Sequence, residues 1–157
     1  PNALPGTYRV YAWSNARAQD FDGRVAHHGG VGLSIDQRVS ENLTVFGRYG
    51  HQTSGRVRFA DALTVGGELD GSPWGRGADG LGMALAWLRT SGRFAAASAA
   101  AAGYVAHGAE RIGELYYRMH LNPHVELTPS VQYIARPAAD PGAKGIALLG
   151  LRARVGF

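Results

Sequence analysis

The residues of this sequence that are equipped for chemistry are arginines and carboxylates that recur at every second position of short segments. Asp36 and Arg38 are separated by one residue, as are Arg152 and Arg154. Guanidinium groups are fork-shaped hydrogen-bond donors and carboxylates are acceptors, so such rows bind polar groups or pair with one another. If they only pair with one another, each pair stabilises the sheet by about 0.2–1 kcal/mol. Further members of these rows are Arg9, Arg48, Glu68, Glu114, Arg118 and Glu126.

No arrangement typical of catalysis accompanies these rows. Ser34, Asp36 and His120 are the residue types of a hydrolase, but nothing in the sequence positions a base beside a nucleophile. The adjacent His27 and His28 point to opposite faces if the chain is extended there, which is poor geometry for metal ligands. We therefore predict that the protein is not an enzyme and holds no metal or cofactor.

The basic balance of the chain comes from arginine. The 157 residues carry a formal charge of +4, with fifteen arginines and a single lysine, Lys144. A basic chain suits a nucleic-acid binder, but these arginines are scattered singly along alternating segments, so we predict no nucleic-acid partner. The absence of cysteine excludes disulfides and thiolate metal sites and is compatible with an oxidising envelope compartment.

The pattern of apolar residues excludes a helical membrane protein. No stretch approaches the roughly 18 to 20 consecutive apolar residues of a membrane-spanning helix, and the N-terminal PNALPG lacks the charged-then-apolar layout of a signal peptide. A barrel strand needs only about 9 to 11 residues with every second one apolar. A membrane β-barrel therefore remains open.

Apolar and polar residues alternate in eight segments, which we predict to be strands. The connections between them alternate between longer and shorter and are rich in Gly, Pro, Ser and Asp, so they favour an all-β antiparallel meander over βαβ units. Short turns at one end and longer loops at the other are typical of an outer-membrane barrel. The predicted strands cover residues 7–15, 30–38, 43–52, 61–70, 79–89, 110–121, 125–135 and 148–157, and residues 16–29 are predicted to be a long link.

Each predicted strand has one apolar and one polar face. The apolar face includes Val31, Leu33, Ile35, Leu43, Val45, Tyr49, Leu63, Val65, Leu69, Leu81, Met83, Leu85, Trp87, Leu115, Tyr117, Met119, Leu121, Val125, Leu127, Val131 and Tyr133. A soluble β-sandwich is the alternative, because alternation does not say which face is outside. The scarcity of lysine argues against it, as do aromatics near strand ends that suit membrane interfaces: Trp13, Tyr49, Trp87, Tyr117, Tyr133 and Phe157.

Several stretches resemble the carbohydrate-selective porins of the OprB family. GTYRVYAWS, LSIDQRVSENLTVFGRYGHQ, PWGRGADGLGMALAW, ELYYRMHLNPHVELTPSVQYIARP and GLRARVGF follow the family pattern in order over nearly the whole chain. The resemblance implies a sixteen-stranded outer-membrane porin of a Gram-negative bacterium through which carbohydrates and other small polar solutes diffuse. Residues 1–157 would be one β-barrel region, the C-terminal half of that barrel.

The resemblance also implies roles for the polar face, which would line the lumen. Sugars carry many hydroxyls and apolar C–H faces, so donors, acceptors and aromatic platforms would bind them; Phe46 is a further platform. The predicted substrate-binding residues are Arg9, Tyr11, Trp13, Asp36, Arg38, Arg48, Glu68, Glu114, Tyr116, Arg118, Glu126, Arg152 and Arg154.

The last strand carries a second implied role. A terminal strand with apolar outward residues and a final aromatic resembles the signal that the barrel assembly machinery reads in such proteins, and Leu151, Ala153, Val155 and Phe157 fit it. The other implied partners are outer-membrane lipids, and a homo-oligomer is possible.

Two features leave alternatives open. Eight antiparallel strands can also close on themselves, which would give a filled barrel acting as an anchor or interaction module without transport; six arginines against four acids on the polar face favour a wide, wet lumen instead. Residues 94–108, FAAASAAAAGYVAHG, depart from the family pattern. Their helix propensity favours a short helix that Gly103 ends, over an irregular outer loop.

Overall fold

Eight strands follow one another along the chain, and each is hydrogen-bonded antiparallel to the next. The computed structural model describes residues 4–156, in which the strands form one sheet in the order β1 to β8. The predicted all-β antiparallel meander is confirmed, and its single sheet differs from the two packed sheets of a soluble sandwich. The strands are β1 (Gly6–Gln19), β2 (Val25–Arg38), β3 (Leu43–Ser54), β4 (Phe59–Gly71), β5 (Arg76–Thr90), β6 (Ala109–Asn122), β7 (Val125–Ala135) and β8 (Ile146–Val155).

The predicted long link at 16–29 is wrong for most of its length. β1 continues to Gln19, β2 begins at Val25, and only residues 20–24 form the turn between them. A register shift between Asn15 and Ala18 marks a β-bulge, and a bulge breaks the alternation of faces on which the prediction rested. The other strands agree better with their predicted ranges; β7 matches at both ends.

Antiparallel strands place successive connections at opposite ends of the sheet. Residues 39–42, 72–75 and 123–124 connect strands at one end, which we call the turn end. Residues 20–24, 55–58, 91–108 and 136–145 connect them at the other, which we call the loop end. The longest connections both lie at the loop end, as the porin layout predicts.

The alanine-rich segment forms a helix, α1 (Gly92–Ala102), within the longest connection. The Ser91 hydroxyl caps its N-terminus by accepting a 3.1 Å hydrogen bond from the Phe94 N–H. Gly103 ends it with φ of +78°, a conformation that glycine adopts without steric cost. The favoured helix and its predicted end are confirmed. No helix within residues 4–156 is both long enough and apolar enough to span a membrane.

The buried apolar side chains lie among the connections of the loop end. Phe94 on α1, Ala106 and Ala139 are those buried within the described part of the chain. Phe94 meets the Phe21 ring edge to face, with centroids 5.3 Å apart. The sheet itself therefore has no filled apolar core across residues 4–156, and its large apolar side chains are exposed or of intermediate exposure.

Candidate functional site

The strand register brings the thirteen predicted substrate-binding residues onto one face of the sheet. Residues directly opposite each other on antiparallel strands share a face. Arg9 is opposite Ser34, which is opposite Arg48, and the same register continues across the sheet to Glu126 opposite Arg154. We call this surface the polar face; it holds Arg9, Tyr11, Trp13, Asp36, Arg38, Arg48, Glu68, Glu114, Tyr116, Arg118, Glu126, Arg152 and Arg154.

The opposite surface, which we call the apolar face, carries the predicted outward residues. Val125 is opposite Val155 and Leu127 is opposite Ala153, so the alternation predicted for β8 is confirmed. Exposure is high along this face, reaching 55% for Met83 and 90% for Leu149. Of the residues predicted as an assembly signal, Leu151, Ala153 and Val155 lie on the apolar face, and Phe157 lies outside the described residues.

Trp13 corrects one assignment made from the sequence. It is opposite Gly30 on β2 and lies on the polar face, so its placement in an outward aromatic band is wrong, whereas its inclusion among the polar-face residues agrees with the register. The alternation of β1 places Tyr8 and Val10, not Trp13, on the apolar face.

One group of polar-face residues surrounds Asp36, and we call it the Asp36 cluster. Arg9 Nη1 lies 3.3 Å from Asp36 Oδ2, and Arg48 Nη2 lies 2.9 Å from Asp36 Oδ1. The Arg48 guanidinium also stands over the Phe46 ring, 4.4 Å from its centroid, a cation–π contact. One carboxylate on β2 therefore holds arginines from both neighbouring strands, which leaves donors of both guanidinium groups free for a polar solute.

A second group joins three strands through Glu68, and we call it the Glu68 cluster. Arg118 on β6 forms an ion pair with Glu68 on β4. The Tyr116 hydroxyl donates a 2.7 Å hydrogen bond to Glu68 Oε2. Both partners reach across β5, where the facing positions are Gly80 and Gly82. Small residues on β5 are what allow the side chains of β4 and β6 to meet.

The remaining predicted residues are not gathered into these clusters. Glu114 accepts a 3.1 Å hydrogen bond from Gln132, and Glu126 Oε2 lies 3.2 Å from His120 Nε2. Arg38 donates to the backbone carbonyls of Ser40 and Glu41 in the adjacent turn. Within residues 4–156, Arg152 and Arg154 have no carboxylate within ion-pair distance.

Aromatic rings on the polar face lie across glycines of neighbouring strands, a feature that sequence reasoning missed. Tyr11 covers Gly32 and Tyr116 covers Gly82, each directly opposite on the next strand. A Cβ added at Gly66 would lie 2.6 Å from Phe46 Cζ, and one at Gly30 would lie 2.6 Å from Trp13 Nε1. The glycine positions were the only available signal, and the strand register is needed to interpret them.

The two adjacent histidines face opposite sides, as predicted. His28 Nε2 lies 2.7 Å from Asp20 Oδ1, whereas His27 Nε2 lies 2.8 Å from Ser14 Oγ. Asp20 also accepts a 2.8 Å hydrogen bond from the Arg56 N–H. These bonds, that from Arg56 first and that with His28 second, lower the Asp20 pKa from its ordinary value of 3.8. No group of three potential metal ligands occurs in the described part of the chain.

The hydrolase residue types are kept apart by the sheet. Ser34 and Asp36 lie on β2 and His120 lies on β6, with three strands between them. Asp36 binds arginines and His120 contacts Glu126. These three side chains therefore do not form a nucleophile and base pair.

Comparison with known proteins gives one family and one fold. The sequence model of the family described as carbohydrate-selective porin, OprB family, matches residues 1–157. A search of curated proteins found no match. The structure of Pseudomonas putida OprB at high pH is similar with a TM-score of 0.82 and 20% sequence identity, over 98% of this chain and 45% of that chain. The chain thus spans less than half the length of that protein, and eight strands over this share agree with the predicted half of a sixteen-stranded barrel.

Proposed function

We propose, because the chain belongs to the OprB family of carbohydrate-selective porins, that it supplies about half of the wall of an outer-membrane channel for carbohydrates and similar small polar solutes. The observation that carries the proposal is the contrast between the two faces of one sheet. The apolar face exposes Leu, Val, Met and Tyr side chains along its length, which suits lipid, and the polar face suits a water-filled lumen.

The polar face offers sugars two kinds of contact. The Asp36 and Glu68 clusters combine guanidinium donors with carboxylate acceptors, which match the hydroxyls of a sugar. Tyr11, Trp13 and Tyr116, held across glycines, offer aromatic platforms for the C–H faces of the ring. Because a solute leaves the water of the lumen only in part, many weak contacts favour its entry without trapping it.

The arginines divide this wall into balanced and positive regions. Asp36 and Glu68 offset part of the charge of Arg9, Arg48 and Arg118. Arg152 and Arg154 on β8 lack such partners among the described residues, so we expect the lumen to be most positive beside β8. This part of the arginine-lined lumen would favour anions over cations of equal size.

The edges of the sheet favour a larger barrel over the closed eight-stranded alternative. β1 and β8 stand at the two ends of the strand order, and no pairing joins them within residues 4–156. An unpaired edge in lipid leaves backbone groups without partners at a cost of several kcal/mol each. We therefore infer that both edges pair with further strands, to a total of sixteen, and that β8 with Leu151, Ala153, Val155 and Phe157 carries the signal for the assembly machinery of a Gram-negative outer membrane.

Single-channel recording of the complete proposed barrel, in which residues 1–157 pair with further strands at both edges, tests the proposal in a planar bilayer. We expect steady conductance that added glucose reduces in a concentration-dependent manner. Replacing Tyr11 and Tyr116 by alanine should weaken this block at least threefold, because both rings are lost from the lumen. Tyr8→Ala, on the other face of β1, is the matched control and should leave the block unchanged. A folded protein whose conductance is indifferent to glucose would refute the sugar channel.

A further inference from the structure

A groove on the apolar face has features that the channel does not use. It encloses about 260 Å³ between β5, β6 and β7, near the loop end. Leu85 and Trp87 from β5, Gly113 from β6 and Tyr133 from β7 form its apolar lining, with Ala135 beside them. The groove therefore faces away from the lumen, on the side that the proposed function places in lipid.

The groove exists because small residues interrupt a row of large ones. Gly113 is opposite Leu85 on one side and Tyr133 on the other. A Cβ added at Gly113 would touch only Leu85 Cδ2, at 3.6 Å, which is ordinary contact. Packing therefore leaves room for a larger residue at this position, and the space left by glycine is open to a ligand.

Arg111 borders the groove and is the charged residue among those that line it in the described part of the chain. It lies opposite Trp87 and is exposed. Arg89 follows Trp87 by two residues and so lies on the same face of β5; it forms an ion pair with Asp61. Within residues 4–156, no carboxylate lies within ion-pair distance of Arg111. Its charge therefore has no partner from the described part of the protein.

We propose that this groove binds an anionic, phosphate-bearing lipid of the outer leaflet, with one acyl chain against Leu85, Trp87 and Tyr133 and the phosphate on Arg111. The inference rests on the proposed membrane location, and the porin layout places the loop end in the outer leaflet. A guanidinium donates two parallel hydrogen bonds to a phosphate. An arginine near a membrane surface keeps its charge at the headgroup level while its stem covers apolar surface. The charge of Arg111 thus complements the phosphate of the lipid, and the shape of the groove complements its acyl chain.

Quenching of Trp87 fluorescence by brominated lipids tests this site in the full chain. Trp13→Phe and Trp74→Phe leave Trp87 as the one tryptophan of residues 1–157, and any tryptophan in the strands that pair with them is replaced by phenylalanine as well. Vesicles contain phosphatidylcholine with increasing fractions of either brominated phosphatidylglycerol or brominated phosphatidylcholine. For each brominated lipid, the fraction in the vesicle that gives half-maximal quenching is measured. We expect the ratio of the fraction for brominated phosphatidylcholine to the fraction for brominated phosphatidylglycerol to be at least three. Arg111→Gln should bring this ratio to about one. Arg93→Gln, which removes an exposed arginine of α1 at the same end of the barrel, should leave the ratio unchanged.

A second variant keeps the test decisive if Arg111→Gln fails to fold. Gly113→Leu retains the arginine and fills the groove, and should lower the ratio to about one as well. A ratio near one in the parent protein, or an undiminished ratio in either groove variant, would overturn the lipid site. Absence of quenching by both brominated lipids would instead count against the membrane location, and so against the proposed function itself.

Discussion

Tyr116 on β6 lies across Gly82, the residue directly opposite it on β5. This position lets the Tyr116 hydroxyl cross β5 and donate a 2.7 Å hydrogen bond to Glu68 on β4. The hydrogen bond links β6 to β4 across β5 on the polar face, and it can form because Gly82 has no side chain in its path. The sheet at this point depends on a glycine as much as on the charged residues around it.

Gly82→Val should displace Tyr116 and break its hydrogen bond with Glu68. The added side chain would collide with the ring, and overpacking of this kind costs about 1–3 kcal/mol in the free energy of unfolding. Urea unfolding of the membrane-inserted protein, followed by tryptophan fluorescence, measures the change. Gly50→Ala is the control, because a Cβ there meets nothing within 4 Å on the same face. Equal midpoints for the two variants would contradict the role of Gly82.

Asp36→Asn should make the channel more selective for anions. The change leaves Arg9 and Arg48 without the carboxylate between them, so the lumen gains one net positive charge. We expect the chloride-to-potassium permeability ratio, obtained from the reversal potential in a KCl gradient, to rise, and stability to fall by less than about 1 kcal/mol, as for exposed ion pairs. Glu41→Gln removes the same charge from the turn at 39–42 and should change the ratio less.

Arg118→Gln should lower the stability of the protein more than Arg152→Gln, because Arg118 is in an ion pair and Arg152 is in none within the described part of the chain. Arg118 is half-buried and paired with Glu68, so its loss leaves a carboxylate partly unsatisfied, at about 1–3 kcal/mol. Arg152 has no ion-pair partner among residues 4–156, so its loss should cost less than about 0.5 kcal/mol while lowering anion selectivity. Urea unfolding and reversal potentials together report both effects. The hypothesis fails if the two variants unfold at the same urea concentration.

Phe94→Ala should loosen the connections at the loop end. Phe94 is 1% exposed and meets Phe21, and loss of a buried phenylalanine costs about 3–5 kcal/mol in a packed core. We expect tryptic cleavage after Arg58 or Arg93 to become at least tenfold faster. Ala96→Ser, at an exposed position of the same helix, should digest like the parent protein. Unchanged cleavage in Phe94→Ala would show that these connections do not depend on the aromatic contact.

Acid should weaken the contact between the first turn and residues 55–58. The Asp20 pKa is lowered in the folded protein, chiefly by the hydrogen bond from the Arg56 N–H and next by His28. The stabilisation is therefore complete above the ordinary value of 3.8 and is lost as the pH falls through the lower folded value. Hydrogen exchange at Arg56, relative to an unstructured peptide, should lose protection in this range. Asp20→Asn should show no such pH dependence; a matching loss in that variant would assign the titration to another group.

Much of the fold was predictable because strand alternation is a local property of the chain. A period of two places residues on opposite faces whatever the partner strand is, so Leu115, Tyr117 and Met119 could be separated from Glu114 and Arg118 without a structure. The helix at 92–102 was predictable for the same reason, since alanine propensity and an ending glycine act within a few residues. The link at 16–29 was not, because the bulge between Asn15 and Ala18 interrupts the period on which the prediction depends.

The sequence by itself determined which residues share a face, and only the tertiary structure decided which of them meet. Alternation placed Asp36, Arg9 and Arg48 on one side, but a carboxylate finds its partners through the register of two neighbouring strands, and register is set by the pairing of whole strands and their turns. Contact between Tyr116 and Glu68 depends in addition on a glycine of a third strand. That Arg152 and Arg154 have no ion-pair partner among the described residues could not be predicted from the sequence either. Whether a charge is paired depends on distances between strands, and no single segment of the sequence contains them.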